Sequence, residues 1–288
     1  MDGSTAYYVR KIGRVLGCKA GHTGTLDPMA TGLVEVLLGS STKLNPFFTN
    51  LEKTYIGRAR LGIRTNTGDR EGEVLERHEV KIDEDGIRQI AAGLSGELEL
   101  SVPIYSAVKV KGKALYKYAR RGVAVELPKR RIEVFRFDIT NIDLPDFEFE
   151  ARVSKGTYIR SLAERIGDLA GCGAHLTTLR RTKIGDRDIS DSITFENVIK
   201  MAELGVLGDK IINPIEALVM PGLEVDFNIA RQIASGIHAQ IDIDKIGTGS
   251  IFYVSYSAKL IAVLRKSPMK GNDFEFVRVL TRPEKIEN

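Results

Sequence analysis

The chain has few cysteines and no long apolar run. Its 288 residues include only Cys18 and Cys172, too few for a disulfide framework. No apolar stretch approaches the ~20 residues that span a bilayer, and the start of the chain lacks the hydrophobic core of a signal peptide. These absences predict a cytoplasmic protein without a membrane partner.

Several motifs of cofactor chemistry are also missing. The sequence contains neither a GxxxxGK[ST] loop nor a GxGxxG turn between a strand and a helix, so nucleotide-cofactor binding is not expected. The H-x-E…P-C-x-x-C pattern of zinc deaminases is absent as well. Two Cys/His pairs stand three or four residues apart, but their spacing fits no common zinc finger: Cys18 with His22, and Cys172 with His175.

The composition is that of a folded globular protein. Apolar residues make up 43% and charged residues 28%, and the net charge is +4. Pro221-Gly222 is the best domain boundary, which predicts a large domain over 1–220 and a small, mostly β module over 221–288. No repeats or low-complexity tracts interrupt the chain.

Hydrophobic periodicity predicts alternating helices and strands. Helices are expected over 5–16, 84–94, 158–169, 194–204, 214–218 and 229–234, with a short one after Thr42 that carries Lys43. Strands are expected over 33–38, 52–61, 74–79, 132–144, 147–154, 175–184, 251–256, 260–264 and 274–280. A polar loop is expected over 62–72, and a β-hairpin over 132–154.

One short stretch, Gly21–Pro28, combines features of a catalytic loop. Two glycines permit sharp turns, a histidine and two threonines offer polar groups, and Pro28 keeps Asp27 out of the helical conformation. An ionised aspartate can act as a nucleophile without a partnering base. By itself the stretch is more typical of an ordinary surface turn.

Positive charge collects in one segment, which we call the basic segment, residues 102–131. It holds nine Lys and Arg residues against Glu126 alone, with tyrosines at 105, 116 and 118. Basic residues interleaved with aromatic ones are typical of nucleic-acid contact. A solvated charged face is an equally good explanation of this segment taken alone.

The stretch 20–32 resembles the catalytic motif of the TruB family of pseudouridine synthases. Further matches follow in the family's order: Lys53-Thr54-Tyr55, Arg60-Leu61-Gly62 to Asp69, Val102-Pro103 through Lys109, Gly112 to Arg120, Lys155 to Arg160, and His175 through Arg181. The resemblance covers about residues 2–218, and the terminal module resembles the family's PUA-type appendage. The probability that six or more matches occur in the family's order by chance is very small.

The resemblance implies an α+β fold, with a mixed, mainly antiparallel central sheet, flanking helices and a small C-terminal β-rich PUA-like module. It implies isomerisation of a uridine at position 55 in the T-arm of tRNA, without metal, nucleotide or redox cofactor. The attack on C1′ or on C6 stays open. A stacked uridine must leave its helix to reach a carboxylate, so base flipping is required.

The resemblance also implies roles for individual residues. Asp27 would be the nucleophile, Arg160 its ion-pair partner, and Tyr55 the active-site tyrosine that stacks on the base. Substrate contacts would come from His22, Tyr158, Leu179, Lys43 and Lys109. On local sequence alone, an ordinary structural position is the better explanation of the tyrosine, the arginine and the leucine, and a solvated face explains the two lysines equally well.

The chain departs from the family pattern at three places. The family's opening strand and its Lys-Pro pair have no counterpart before Asp2–Ala6, so we expect that strand to be missing. Ile104 replaces a family proline, and Tyr7 stands where a histidine is common. None of these positions is the nucleophile.

Two other functions fit the same motifs. A non-catalytic RNA-binding or RNA-folding protein could keep the scaffold, and a dyskerin-like enzyme could use a guide RNA on the same core. Loss of modification in Asp27→Ala separates catalysis from binding alone. We expect a monomer with no obligate protein partner.

Overall fold

A computed structural model of the chain describes residues 3–268 and 273–287. Within these ranges the α-helices are α1 Thr5–Val15, α2 Asn45–Thr49, α3 Glu84–Ala92, α4 Leu115–Ala119, α5 Ile159–Leu169, α6 Phe195–Glu203, α7 Pro214–Ala217 and α8 Phe227–Ala234. Short 3₁₀ helices span Gly39–Leu44, Ile189–Asp191, Gly208–Lys210 and Pro283–Lys285.

The strands follow the chain in the order β1 Ala20–His22, β2 Thr31–Gly32, β3 Val36–Leu38, β4 Lys53–Leu61, β5 Ile63–Thr65, β6 Val74–Arg77, β7 Gly96–Ser101, β8 Lys109–Val110, β9 Lys113–Ala114, β10 Lys129–Asp143, β11 Asp146–Val153, β12 Ala174–Ile184, β13 Arg187–Asp188, β14 Gly222–Glu224, β15 Ile251–Tyr256, β16 Lys259–Lys266 and β17 Phe274–Val279.

The predicted helices and most predicted strands are confirmed, with ends shifted by a few residues. Their caps are the ones that the sequence indicates: the Ser4 hydroxyl accepts from the Tyr7 amide, and the Asp83 carboxylate accepts from the Gly86 amide. Each cap satisfies an amide that the first helical turn leaves without a partner.

Two local predictions were wrong. Of the single strand expected over 33–38, only Val36–Leu38 forms, as β3; it pairs with β1, whereas β2 just before it pairs with β12 of another sheet. The polar loop expected over 62–72 contains β5, which pairs antiparallel with β6. The edge strand β7 was not predicted.

The chain divides into two compact units. The first comprises the described residues of Met1–Thr25, Glu35–Thr49 and Ile193–Asn288, and the second comprises Leu26–Val34 and Asn50–Ser192. The stretch Gly21–Pro28 therefore contributes residues to both units. The division into a catalytic domain over 1–220 and an appendage over 221–288 stays a prediction.

The second unit is built on a seven-stranded sheet. Its order is β13-β12-β4-β11-β10-β7, and β2 pairs with β12 beside this path. β2 runs parallel to β12, whereas the other pairs are antiparallel. This confirms the mixed, mainly antiparallel central sheet. Helices α3 and α5 cover its apolar face, where Ile87, Leu162 and Ile166 are buried.

The core of this unit is aromatic at its centre. Phe137 and Phe149 stack with ring centroids 5.0 Å apart, and Phe147 and Phe149 are almost completely buried. Gly57 in β4 makes room for this packing, because a Cβ there would stand 2.6 Å from the Phe149 ring. Burial of a phenylalanine side chain contributes about 1.5–3 kcal/mol, so the cluster holds the strands that carry the site.

The first unit contains helical and β parts. α1 meets α6 through Tyr8 and Phe195, whose ring centroids lie 4.7 Å apart. After residue 220, β14-β15-β16-β17 form a sheet over which α8 packs, and Phe252, Ile261 and Ile233 are fully buried there. The small C-terminal β-rich module is thus confirmed.

No helix within the described ranges is long and apolar enough to cross a membrane.

A buried carboxylate fixes the register of β4 and β11. Asp146 lies opposite Arg60 in the strand pair and accepts hydrogen bonds from Arg60 at 2.6 and 3.0 Å and from Arg58 at 3.1 Å. Burial by itself raises the pKa of Asp146, but the hydrogen bonds and charges of the two arginines outweigh it, so that pKa lies below its ordinary value.

We expect Asp146→Asn to lower the free energy of unfolding at neutral pH by about 1–2 kcal/mol, since both arginines are partly exposed and screened. A lowered aspartate pKa stabilises the fold above the unfolded-state pKa, and that stability is lost as the pH falls through the folded pKa. Urea unfolding at neutral pH and in acid measures the difference, which should vanish in acid. Asp143→Asn, at a carboxylate that is 82% exposed, is the control. An equal loss at both pH values would contradict this account.

Candidate active site

Arg160 is a buried charge at the start of α5. It is the second residue of the helix, Tyr158 stands at its N-cap, and the Arg160 side chain is only 3% exposed. A cation is disfavoured both by burial and by the positive end of the helix dipole. The guanidinium must therefore be compensated by strong acceptors.

Asp27 is the principal acceptor. Its carboxylate faces the guanidinium with both oxygens: Nε donates to Oδ2 at 3.0 Å and Nη2 donates to Oδ1 at 3.1 Å. This two-point geometry fixes the plane of the carboxylate as well as its position. Asp27 remains 26% exposed, so the oriented carboxylate is still accessible from outside.

Two backbone carbonyls complete the guanidinium's hydrogen bonds. Nη1 donates to the Thr67 carbonyl at 2.8 Å, and Nη2 also donates to the Tyr105 carbonyl at 3.1 Å. Arg160 thus joins three segments, around residues 27, 67 and 105. Such a group has little freedom to change rotamer, so Asp27 is held in one orientation.

A second carboxylate lies on the other side of Arg160. Asp69 is 4% exposed, and its Oδ2 lies 3.8 Å from Arg160 Nε. Its Oδ1 accepts from the Thr67 hydroxyl at 2.6 Å and from the Glu71 amide at 3.1 Å. Asp69 therefore orders the turn that presents the Thr67 carbonyl to the guanidinium.

This turn is attached to β12 by backbone hydrogen bonds. The Leu176 amide donates to the Gly68 carbonyl at 3.0 Å, and the Gly62 amide donates to the Gly173 carbonyl at 2.9 Å. The buried His175 ring donates through Nδ1 to the Ile63 carbonyl at 3.1 Å, since a carbonyl can only accept. The loop that holds Arg160 is therefore continuous with the central sheet.

Glu164 stands one helical turn after Arg160. Burial raises the pKa of its carboxyl; the charge of Arg160 opposes this rise and the charge of Asp168 adds to it. A carboxyl with a raised pKa is more readily protonated than an exposed one.

The remaining predicted residues of this unit lie on the central sheet and around it. Tyr55 is partly buried in β4, and the pKa of its hydroxyl is raised mainly by burial, with a further contribution from the charge of Asp27. Leu179 in β12 is 6% exposed and lies opposite Gly57 of β4. The structure thus brings Asp27, Arg160 and Tyr55 together. Lys109, by contrast, is exposed in the short hairpin of β8 and β9.

Two predicted substrate contacts belong to the first unit. His22 lies in β1, opposite Val36 of β3. Lys43 lies in the 3₁₀ helix Gly39–Leu44, and its ammonium donates to the Val279 carbonyl at 2.8 Å. Their contacts with a substrate stay predictions.

Sequence reasoning assigned no role to Asp69, Glu164 or Arg181. Glu164 could have been found from its i, i+4 spacing after Arg160 on one helix. The carbonyls of Thr67 and Tyr105 carry no sequence signal, because every residue has one. Among the described residues, no three His, Cys, Asp or Glu side chains are grouped so that they could hold a metal ion.

Comparison with known proteins identifies the family. Residues 10–159 match the model of the TruB family pseudouridylate synthase N-terminal domain, and residues 160–220 match that of the tRNA pseudouridylate synthase B C-terminal domain. The tRNA pseudouridine synthase B of Chromohalobacter salexigens is 43% identical over 78% of this chain and 73% of its own length. That of Clostridium tetani is 36% identical over 94% of this chain and 92% of its own.

Solved structures show the same fold. The crystal structure of an archaeal box H/ACA sRNP Nop10-Cbf5 complex contains a chain with a TM-score of 0.70 and 22% identity, covering 99% of this chain and 85% of that one. The family models together span well over half of the sequence, and the catalytic motif 20–32 lies inside the first of them. The chain belongs to the TruB family of pseudouridine synthases.

Proposed function

We propose that this protein is a tRNA pseudouridine synthase that isomerises the uridine at position 55, in the T-arm of tRNA. The observation that carries the proposal is the Asp27–Arg160 pair, a carboxylate fixed at two points yet 26% exposed. The names of the curated relatives support tRNA as the substrate. The choice of position 55 of the tRNA as the target follows from the family resemblance.

In the proposed reaction Asp27 is the nucleophile. Its ionised oxygen attacks the flipped uridine at C1′ or C6, and the N1–C1′ bond breaks. The uracil turns so that C5 bonds to C1′, and the bond between Asp27 and the substrate breaks, which frees the carboxylate. The proton on C5 is then lost and N1 gains one, so the product is an isomer of the substrate. Arg160 orients Asp27 for the attack.

Tyr55 is proposed to lie against the uracil ring. An aromatic ring supplies a stacking face for an extruded base, and its hydroxyl can take part in the proton transfer from C5. Leu179, two positions before Arg181 in β12, would form an apolar wall of the base pocket. Tyr158 and His22 are proposed as further substrate contacts.

The basic segment is proposed to bind the T-arm backbone. Lys109 is exposed there, and Arg120 lies over the Tyr116 ring at 5.6 Å from its centroid. Cationic side chains next to an accessible aromatic ring can contact phosphate and base together. Lys43 would add a phosphate contact from the first unit.

We expect Lys109→Gln to raise KM for tRNA with little change in kcat, because a phosphate contact acts equally on ground and transition states. The slope of log K against the logarithm of the salt concentration should become less steep by about 0.7–0.9. Filter binding over a salt series measures it. Lys81→Gln, at an exposed lysine outside the basic segment, is the control. A changed kcat with unchanged binding would contradict a phosphate contact.

The function is tested with unmodified tRNA transcript labelled at C5 of uridine with tritium. Release of one tritium per tRNA, with pseudouridine mapped to position 55, is the expected result. A transcript with cytidine at position 55 is the control substrate and should release none. Release from a different uridine would overturn the position, and binding without any release would favour the non-catalytic RNA-binding function.

A further inference from the structure

Arg181 is a second buried arginine near Tyr55. It is 2% exposed and is the largest fully buried side chain among the described residues. Burying a guanidinium without acceptors is costly. Its Nε donates to the Leu33 carbonyl at 2.8 Å, and its guanidinium lies near enough to the Tyr55 hydroxyl to lower the pKa of that group.

The strand register brings this arginine to the tyrosine. Arg181 of β12 and Tyr55 of β4 are direct partners in the antiparallel pair. Directly opposite residues point to the same face with Cβ atoms about 4.5–5.5 Å apart, so the two side chains meet without any adjustment of the backbone. The next residue of β12, Arg180, is exposed.

The backbone of Arg181 is also held from the other side. β2 runs parallel to β12 there, with Gly32 opposite Arg181. A Cβ on Gly32 would stand 2.2 Å from the Arg181 carbonyl oxygen, so only glycine permits this approach. The Leu33 amide then donates to the same carbonyl at 2.8 Å. Backbone and side chain of Arg181 are therefore both held by Gly32 and Leu33.

Arg181 and the burial of Tyr55 have opposite effects on the pKa of the Tyr55 hydroxyl. Burial raises the pKa of the Tyr55 hydroxyl most strongly, the charge of Asp27 adds to the rise, and the charge and hydrogen bond of Arg181 lower it. Arg181 thus favours negative charge on the phenol oxygen, whereas burial and Asp27 disfavour it.

We propose that Arg181 is a positioning residue for Tyr55: its guanidinium donates to the phenol oxygen, directs the phenol proton away from β12, and holds the ring in place against the uracil. The inference rests on the proposed function, in which Tyr55 contacts the uracil. Arg181 itself touches no reacting atom.

A double-mutant cycle tests this role by single-turnover tritium release. Arg181→Met should lower kcat about 10²-fold, the size expected when a reacting group is slightly misplaced. In the Tyr55→Phe background, which has no phenol oxygen, the same change should cost almost nothing further. An equal loss in both backgrounds would overturn the inference. Arg180→Met, on the opposite face, should leave the rate unchanged in either background.

A spectroscopic measurement covers the case in which Arg181→Met fails to fold. In protein labelled with ¹³C at the tyrosine Cζ, the Tyr55 signal is assigned by its disappearance in Tyr55→Phe. Arg181→Lys keeps a buried cation, and it should shift this signal while the other tyrosine signals stay in place. An unshifted signal would overturn the inference. By contrast, a fully active Tyr55→Phe enzyme would refute the proposed role of Tyr55 and with it this inference, and a wild-type enzyme without product would refute the proposed function itself.

Discussion

Asp27→Asn is expected to reduce pseudouridine formation by about 10⁴- to 10⁶-fold, the loss typical of removing an essential nucleophile. The amide keeps the shape of the carboxylate but has no ionised oxygen to attack the uridine. Arg160 retains the Thr67 and Tyr105 carbonyls as acceptors and Asp69 as a nearby negative charge. The fold and the affinity for tRNA should therefore survive the change.

The measurement is single-turnover tritium release from tRNA, with filter binding of the same variant. Asp186→Asn replaces an exposed aspartate of the same compact unit and should act like wild type. If Asp27→Asn retained a rate within tenfold of wild type, Asp27 would not be the nucleophile. Lost binding together with lost activity would instead point to a folding defect, which thermal unfolding would reveal.

Arg160→Lys is expected to lower kcat by about 10²- to 10³-fold, because the variant keeps the charge but loses the two-point grip on Asp27. An ammonium offers no planar fork, so it can hold one carboxylate oxygen without fixing the carboxylate plane. KM for tRNA should change little, since the Arg160 side chain is buried and pairs with Asp27. Initial rates over a tRNA concentration series separate the two constants.

Removing the charge altogether should affect folding as well. Arg160→Met leaves Asp27 and Asp69 without their counter-ion and should lower the free energy of unfolding by about 3–5 kcal/mol. Arg165, exposed on the same helix, supplies the control substitutions Arg165→Lys and Arg165→Met, which should change neither rate nor stability appreciably. A stable and fully active Arg160→Met protein would show that Asp27 is oriented by other groups.

The sequence predicts elements best where hydrophobic periodicity and end signals agree. Ser4 and Asp83 mark helix starts that the structure reproduces, and the hairpin of β10 and β11 follows from its alternation. The strand expected over 33–38 failed because an apolar run does not show which sheet each residue joins. Only Val36–Leu38 of that run forms a strand, and it pairs with β1 in a separate two-stranded sheet.

The site was predictable only in part. Motifs predicted Asp27, Tyr55 and Arg160 as site residues; in the structure Arg160 donates to Asp27, and the charge of Asp27 raises the pKa of Tyr55, while their catalytic roles stay predictions. No motif shows that the carbonyls of Thr67 and Tyr105 accept hydrogen bonds from Arg160. No motif shows the strand register that places Arg181 opposite Tyr55 either. These contacts depend on tertiary pairing, since backbone acceptors are the same at every residue.

The sequence distance between Asp27 and Arg160 has a consequence for the protein during its synthesis. The two residues are 133 positions apart, so the ribosome adds Arg160 roughly 7–27 s after Asp27 at ordinary rates of elongation. Throughout that interval the nascent chain carries the carboxylate but not the cation that orients it. The Asp27–Arg160 pair therefore forms late in translation, and a chain released early has the proposed nucleophile without the arginine that orients it.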